Sequence, residues 1–244
     1  MIHIVLPAFN EEKTIGPLCE TMAFVMKENG LPYKVIIVDD GSSDSTAKAV
    51  RSFTKKMPVV LVRHKVNRGL SEAIKTGLLT ALKRAKSEDI IVTMDSDNTH
   101  TPGLILRMTR MIREGNDVVI ASRYLSGSRV RGVPFFREVL SLGGSILFRI
   151  LFPIKGVRDY TCGYRAYRAK ILTEAFDYYG EEFVNRPGFS CMVDILLKLR
   201  HLDVIVSEVP LILRYDLKES LSKMKIGKTI KETLALIVER KLGR

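Results

Sequence analysis

The chain has 244 residues, 46% hydrophobic and 27% charged, a composition that can bury a substantial core. Its three cysteines, Cys19, Cys162 and Cys191, form no CxxC pair and are odd in number, which argues against a disulfide framework or a zinc site and for a reducing compartment. The net charge of +12 favours anionic partners: nucleic acid, acidic lipid or phosphate-bearing substrates.

The opening MIHIVLPAFNEE has no basic region followed by an apolar stretch, so no secretory signal is expected. The best apolar run, 139–148, falls far short of the about 18 residues that a membrane span requires. The basic excess is concentrated: residues 123–137 hold four arginines and no acid, and residues 214–244 hold nine basic against four acidic residues. For the C-terminal stretch a solvated basic surface explains the charge as well as a partner does. The arginine loop, interleaved with Gly, Ser and Pro, points to something specific.

In chain order, residues 2–6 form a short apolar run ended by Pro7, and 14–29 read as a helix. A β-branched run at 35–38 stops at Asp39-Asp40-Gly41-Ser42, where Ser43 or Asp44 is placed to cap a helix reaching about residue 56. Strands follow at 59–62, 90–94 and 118–121, with helices at 71–86 and 101–114, the latter carrying Pro102 in its first turn. Apolar runs alternating with helices predict an α/β fold with a mostly parallel sheet flanked by helices. After Arg123 the pattern changes. An amphipathic helix is expected at 135–152, a polar turn at 159–163, a helix at 191–202, a strand at 204–207, an extended piece to 214, and a basic amphipathic helix at 225–241.

In parallel sheets ligands bind beyond the carboxyl ends of the strands. Four polar clusters fall there: Phe9-Asn10-Glu11, Asp39-Asp40, Asp95-Ser96-Asp97 and Ser122-Arg123. Asp95-x-Asp97 is the central signal, because two carboxylates in one turn can present oxygens to a hard divalent cation, Mg²⁺ or Mn²⁺, that keeps waters and bridges phosphates. Such an ion stabilises a leaving diphosphate as a Lewis acid. Asp40 equally suits a helix cap. Phe9 can stack on a base and Glu11 can bind a sugar or base donor, or both can belong to a helix entry with acids in its first turn.

PAFNEE, VDDGSSDST, NRGLSEAIKTG, MDSDNTHTP and VIASRY, in this order and spacing, resemble the family 2 glycosyltransferases of GT-A fold. RDYTCGYRAYR and EVPLILRYDLKESLSKM narrow the resemblance to the dolichol (polyprenol) phosphate mannosyltransferases. The resemblance spans residues 2–224 and implies a catalytic domain over 1–224, with a nucleotide-sugar half at 1–122, an acceptor half at 123–224, and a separate C-terminal helix at 225–244. It implies that Pro7, Glu11 and Asp39 hold base and ribose, with Phe9, Asp40 and Asp95 beside them. Asp95 and Asp97 become the metal ligands. Arg123, Arg137, Arg214 and Lys223 become contacts to the donor diphosphate and acceptor phosphate, with Asp97 and Arg123 catalytic. The sequence departs from the family in having Phe9 for a tyrosine, Asn98-Thr99 where a side-chain amide ligand is frequent, and one arginine, Arg137, where two are usual.

The implied reaction moves a hexose, mannose from GDP-mannose, onto a polyprenyl phosphate, with a UDP-sugar as the alternative donor. An acceptor phosphate is already anionic, so no general base is needed, and direct displacement inverts the anomeric centre. A hydroxyl acceptor would need a base, for which Asp194 is the best candidate, although a solvent-facing place or a local partner suits it better. The expected location is cytoplasmic, at a membrane surface or on a small membrane subunit, with Phe135, Phe136, Leu147, Phe148 and Phe152 either facing the interface or, equally, packing in the core. A nucleic-acid partner would account for the charge, but not for acids at the strand ends, and is not expected.

Overall fold

The structure, a computed structural model, describes residues 1–218 and 226–242. Its first half alternates strands β1 (Ile2–Ala8), β2 (Tyr33–Asp39), β3 (Val59–Arg63), β4 (Ile90–Thr93) and β5 (Val118–Ser122) with helices α1 (Ile15–Glu28), α2 (Thr46–Phe53), α3 (Leu70–Leu82) and α4 (Leu104–Arg113). The second half contributes β6 (Arg129–Arg131), α5 (Phe135–Leu151), β7 (Arg165–Arg168), α6 (Ala169–Tyr179), α7 (Ser190–Leu199), β8 (Val206–Pro210), β9 (Ile212–Arg214) and α8 (Ile226–Lys241).

Seven strands form one sheet in the order β3-β2-β1-β4-β7-β5-β8. All neighbours pair in parallel except β7, which runs antiparallel between β4 and β5. Residues 35–38, 90–92 and 118–121 are all buried, as expected of strands covered on both faces. Gly77 of α3 sits so close to the sheet that a Cβ there would lie 2.2 Å from Val5 Cγ1, so this contact has room only for glycine. β6 and β9 form a separate parallel pair that brings the arginine loop beside the segment after β8.

The strands and helices expected up to residue 122 are present, with ends shifted by a few residues. The strand expected at 204–207 lies at Val206–Pro210. β6, β7 and α6 were not anticipated. β7 reads Arg-Ala-Tyr-Arg, yet it is almost wholly buried, and Arg165 donates through Nε, Nη1 and Nη2 to the carbonyls of Cys162, Met192 and Tyr160 at 2.6–2.8 Å. Those bonds tie the 159–163 turn to α7 and satisfy a charged head that the pattern would place in solvent.

α5 differs from expectation in which aromatics it exposes. Phe148 and Phe152 are buried against Tyr160 rather than facing outward. The exposed stripe consists instead of Phe135, Phe136, Val139, Leu142, Ile146, Leu147 and Ile150, with Phe135 80% exposed. Among the described residues no helix is long and apolar enough to cross a membrane.

Candidate active site

The carboxyl ends of β1, β2, β4 and β5 carry the four polar clusters, and hydrogen bonds lace them together. Asn10 accepts from Ser43 N at 2.9 Å, and Asn10 N donates to Ser42 Oγ at 2.9 Å. Glu11 N donates to Thr46 Oγ1 at 2.8 Å, and Thr14 Oγ1 donates to the Glu11 carboxylate at 2.8 Å. Asn10 takes a left-handed φ of 52°, a conformation asparagine tolerates better than most residues. Gly41, at φ +71°, lies against the Val66 backbone, where a Cβ would approach to 2.4 Å. The two loops therefore form one wall.

Asp39 and Asp40 divide their tasks. Asp39 is fully buried, accepts from Ser42 N at 2.9 Å and pairs with Arg63 Nε at 3.0 Å. Asp40 lies 2.7 Å from His64 Nδ1 and accepts from the backbone N–H groups of Arg68 and Gly69 at 2.9 and 2.8 Å. Asp40 thus fastens the 64–69 loop, and Asp44, which accepts from Thr46 N, serves the start of α2.

The β4 turn carries the paired acids. Ser96 Oγ donates to Pro7 O at 2.7 Å, fixing the turn to β1. Asp97 Oδ1 accepts from Thr99 Oγ1 at 2.6 Å and from Thr99 N at 3.2 Å, so the Thr99 hydroxyl is turned inward onto Asp97. Asp97 Oδ2 pairs with the Lys218 ammonium. Although burial works against ionisation, the Lys218 charge and hydrogen bond hold the Asp97 carboxyl below its ordinary range. The Asp95 side chain keeps 46% of its surface exposed and lies 3.9 Å from His100 Nε2, while His100 stacks on Tyr164 with ring centroids 4.9 Å apart.

Arg123 follows β5 and is gripped by Asp159. The Arg123 backbone N, Nε and Nη2 reach the Asp159 carboxylate at 3.0, 2.8 and 2.8 Å, and Nη2 also donates to Thr161 Oγ1 at 2.5 Å. Asp159 is fully buried. Desolvation alone would raise its pKa, but the guanidinium and backbone donors hold it well below the usual carboxylate range. Glu208 of the EVP strand accepts from the backbone N–H groups of Arg158 and Asp159 at 2.7 and 2.6 Å, placing the turn that places Arg123. The same turn approaches the paired acids: Thr93 Oγ1 donates to Gly163 O at 2.7 Å, and a Cβ on Gly163 would lie 3.8 Å from Asp95 Oδ1.

The segment 211–218 closes the arrangement. Leu211 N donates to Ser122 O at 2.9 Å and Arg214 N to Thr99 O at 3.0 Å. Arg214 forks onto Asp216 at 2.8–2.9 Å. Arg137 Nη1 donates to the Tyr215 hydroxyl at 2.8 Å, and the Lys218 ammonium stands 5.5 Å from the Tyr215 ring centroid. A strap thus joins the carboxylate turn of β4 to the arginines of the second half.

Residues 3–176 match the model of the family described as Glycosyl transferase family 2. The chain belongs to glycosyl transferase family 2. This family 2 glycosyltransferase is 32% identical to the dolichol-phosphate mannosyltransferase of Pyrococcus furiosus over 96% of its own length, and spans 61% of that relative's length. It is 29% identical to the polyprenol monophosphomannose synthase of Mycolicibacterium smegmatis, covering 97% of this chain and 85% of the relative. Its backbone is similar to that of glucosyl-3-phosphoglycerate synthase from Mycobacterium tuberculosis, solved with Mn²⁺, UDP and glucosyl-3-phosphoglycerate. That likeness has a TM-score of 0.69 at 20% identity, over 100% of this chain and 80% of that one. At that identity it speaks for the fold alone, which is GT-A.

Of the residues predicted for the site of this glycosyltransferase, the structure places Pro7, Phe9, Glu11 and Asp39 along the β1–β2 wall and Asp95 and Asp97 in the β4 turn. Arg123, Arg137 and Arg214 lie around the turn and strap opposite. Lys223 lies outside the described residues. Asp194 is buried between Lys198 Nζ at 2.6 Å and Arg240 Nη2 at 2.5 Å, so it fastens α8 to α7 and does not face the crevice. Sequence reasoning missed the contribution of Arg63, and it met Asp159, Glu208, Tyr215 and Lys218 only as parts of a motif.

The donor set fits a hard divalent cation. Among the described residues no three His, Cys, Asp or Glu side chains converge as a metal cage. Two carboxylates, one half-exposed and one already facing a cation, suit an ion that takes its remaining ligands from water and phosphate. Burial pushes the thiols of Cys19, Cys162 and Cys191 up to about 12, which leaves none of them ready to act as a nucleophile near neutral pH.

Proposed function

We propose that this family 2 glycosyltransferase moves a hexose, mannose from GDP-mannose, onto a polyprenyl or dolichyl phosphate, with inversion and without a general base. The observation that carries the reading is the approach of the turn that holds Arg123 to the two-carboxylate turn, with one strap bonded to both sides. Such a crevice is built to hold two phosphate groups of opposite roles, a leaving diphosphate and an attacking phosphate. The names of the Pyrococcus furiosus and Mycolicibacterium smegmatis relatives support the lipid-phosphate acceptor.

In this reading Pro7, Phe9, Glu11 and Asp39 receive base and ribose, and Asp40 acts indirectly by holding the 64–69 loop. Asp95 and Asp97 hold the divalent cation, which when bound supplies Lewis-acid stabilisation of the leaving diphosphate. Arg123 orients the acceptor phosphate through the part of its guanidinium not engaged by Asp159, and Arg137 and Arg214 screen one phosphate from the other. Aligning an already anionic oxygen with the anomeric carbon is the main remaining task. The burial of Asp194 in a salt bridge favours this base-free route over transfer to a hydroxyl.

Lipid access is assigned to α5, whose exposed apolar stripe follows Arg129 and Arg131 in sequence and is interrupted by Arg137 and Arg149. It suits docking on an acidic membrane surface. On α8 and just beyond it, Ile230, Leu234, Val238 and Leu242 add exposed positions at a spacing of four. The test is transfer from GDP-mannose and UDP-glucose in parallel to a short polyprenyl phosphate, with Mn²⁺ or Mg²⁺ and with chelator. A metal-dependent lipid-linked sugar from GDP-mannose supports the reading. Product from UDP-glucose alone would replace the donor, and product undiminished by chelator would remove the metal.

A further inference from the structure

We propose that Lys218 is the built-in counter-cation of the carboxylate turn, holding Asp97 while no ligand is present and passing its charge to the donor diphosphate when a divalent cation takes its place. The inference rests on the metal-assisted reading above, and it concerns a residue to which the resemblance assigns no role.

The geometry leaves a divalent cation one way in. Asp97 Oδ1 already receives two hydrogen bonds from Thr99, so Oδ2 is the oxygen left for a metal, and Oδ2 is held by the Lys218 ammonium. The pair is well shielded, with the Lys218 and Asp97 side chains 14% and 11% exposed. Two cations do not share one carboxylate oxygen at contact distance without strong repulsion in such a setting. A metal ion on Asp97 Oδ2 must therefore displace Lys218.

The displaced ammonium cannot go far. Lys218 follows the points at which the strap is fixed to the walls of the site, Leu211 and Arg214, and its backbone N donates to Tyr215 O at 3.2 Å; its ammonium stands beside the Tyr215 ring, whose hydroxyl receives Arg137. Arg214 is already forked onto Asp216, so the strap's own acid is engaged. The group that arrives together with the metal and carries uncompensated negative charge is the donor diphosphate. Lys218 is thus a positioning residue for the donor, and it disfavours metal binding when no donor is present.

The test measures Mn²⁺ binding to the full chain by electron paramagnetic resonance without nucleotide, followed by GDP and UDP binding at saturating Mn²⁺. The variants are Lys218→Gln, Lys218→Met and Lys218→Arg, with thermal melts confirming that each is folded. If Lys218 holds Asp97 nine-tenths of the time, Lys218→Gln and Lys218→Met bind Mn²⁺ about tenfold tighter than the parent. They also bind the nucleoside diphosphate more weakly, and Lys218→Arg behaves as the parent in both. Mn²⁺ affinity unchanged or weakened in both neutral variants overturns the proposal while leaving the metal site in place. Tighter Mn²⁺ binding with unchanged nucleotide affinity overturns the transfer of charge to the diphosphate. No Mn²⁺ binding by parent or variants removes the metal reading itself, and the proposal with it.

Discussion

Asp159 holds Arg123 through three hydrogen bonds, one from its backbone N–H and two from its guanidinium. The carboxylate is itself placed by Glu208, which accepts from the Asp159 backbone. Arg123 is therefore held from the neighbouring strand β8, through a turn whose fold depends on a buried ion pair.

Breaking that pair from one side leaves a buried charge without its partner, which typically costs about 3–5 kcal/mol. Asp159→Asn is expected to lose about 3 kcal/mol in denaturant unfolding and to lower transfer by more than the loss of folded protein, because Arg123 is no longer held. The loss has a defined pH dependence. Because the folded pKa of Asp159 lies below its unfolded value, the pair's contribution is present in full above the ordinary carboxyl range of about 4 and fades as pH falls through the folded value. The stability gap between parent and Asp159→Asn should be constant from pH 7 to 5 and narrow below pH 4. A gap that widens in acid would contradict the assignment.

Asp194 supplies a separate test of the base-free route. Asp194→Asn leaves Lys198 and Arg240 short of their partner and should destabilise the chain by about 3 kcal/mol. Its kcat, corrected for the folded fraction, should match the parent, as checked by active-site titration. A loss of kcat of a hundredfold or more, typical of removing a general base, would return Asp194 to the chemistry.

At Gly77 the effect is one of space. Because an added Cβ would meet the stiff, buried side chain of Val5 at 2.2 Å, Gly77→Ala should destabilise by about 1–3 kcal/mol despite the better helix propensity of alanine. A thermal melt shifted upward would show that α3 can move away from the sheet.

The exposed stripe of α5 predicts sedimentation with vesicles of acidic phospholipid. Replacing two of its most exposed residues, Phe135→Glu with Ile150→Glu, should weaken vesicle binding about tenfold or more, given the roughly 1.5–3 kcal/mol available from burying each side chain. Neither residue packs in the core, so the melting temperature should hold. Equal binding by parent and double variant would place the membrane contact elsewhere.

Much of this site was legible because parallel strands announce themselves. Runs such as Val35 to Val38 and Ile90 to Val92 are buried on both faces, and the polar residues that end them fall at one edge of the sheet by topology alone. β7 stayed hidden because its two arginines look like surface, whereas Arg165 is satisfied inside by three carbonyls that lie far apart in sequence. Asp40 showed the reverse difficulty: an acid at a strand end is as useful for fastening a loop as for meeting a ligand. Phe148 and Phe152 share the apolar face of an amphipathic helix with residues that are exposed, and only Tyr160 behind them decides which side is core. Lys218 lies within a recognisable motif, but nothing local points to its partner, which is 121 residues away.

The most direct test of the central claim offers GDP-mannose, Mn²⁺ and the full chain two acceptors of equal chain length, a polyprenyl phosphate and the corresponding polyprenol, and measures the labelled lipid formed from each. The account predicts mannosyl lipid from the phosphate only, with the product abolished in Asp97→Ala. Comparable product on the free alcohol would contradict a site built for an anionic acceptor and base-free displacement.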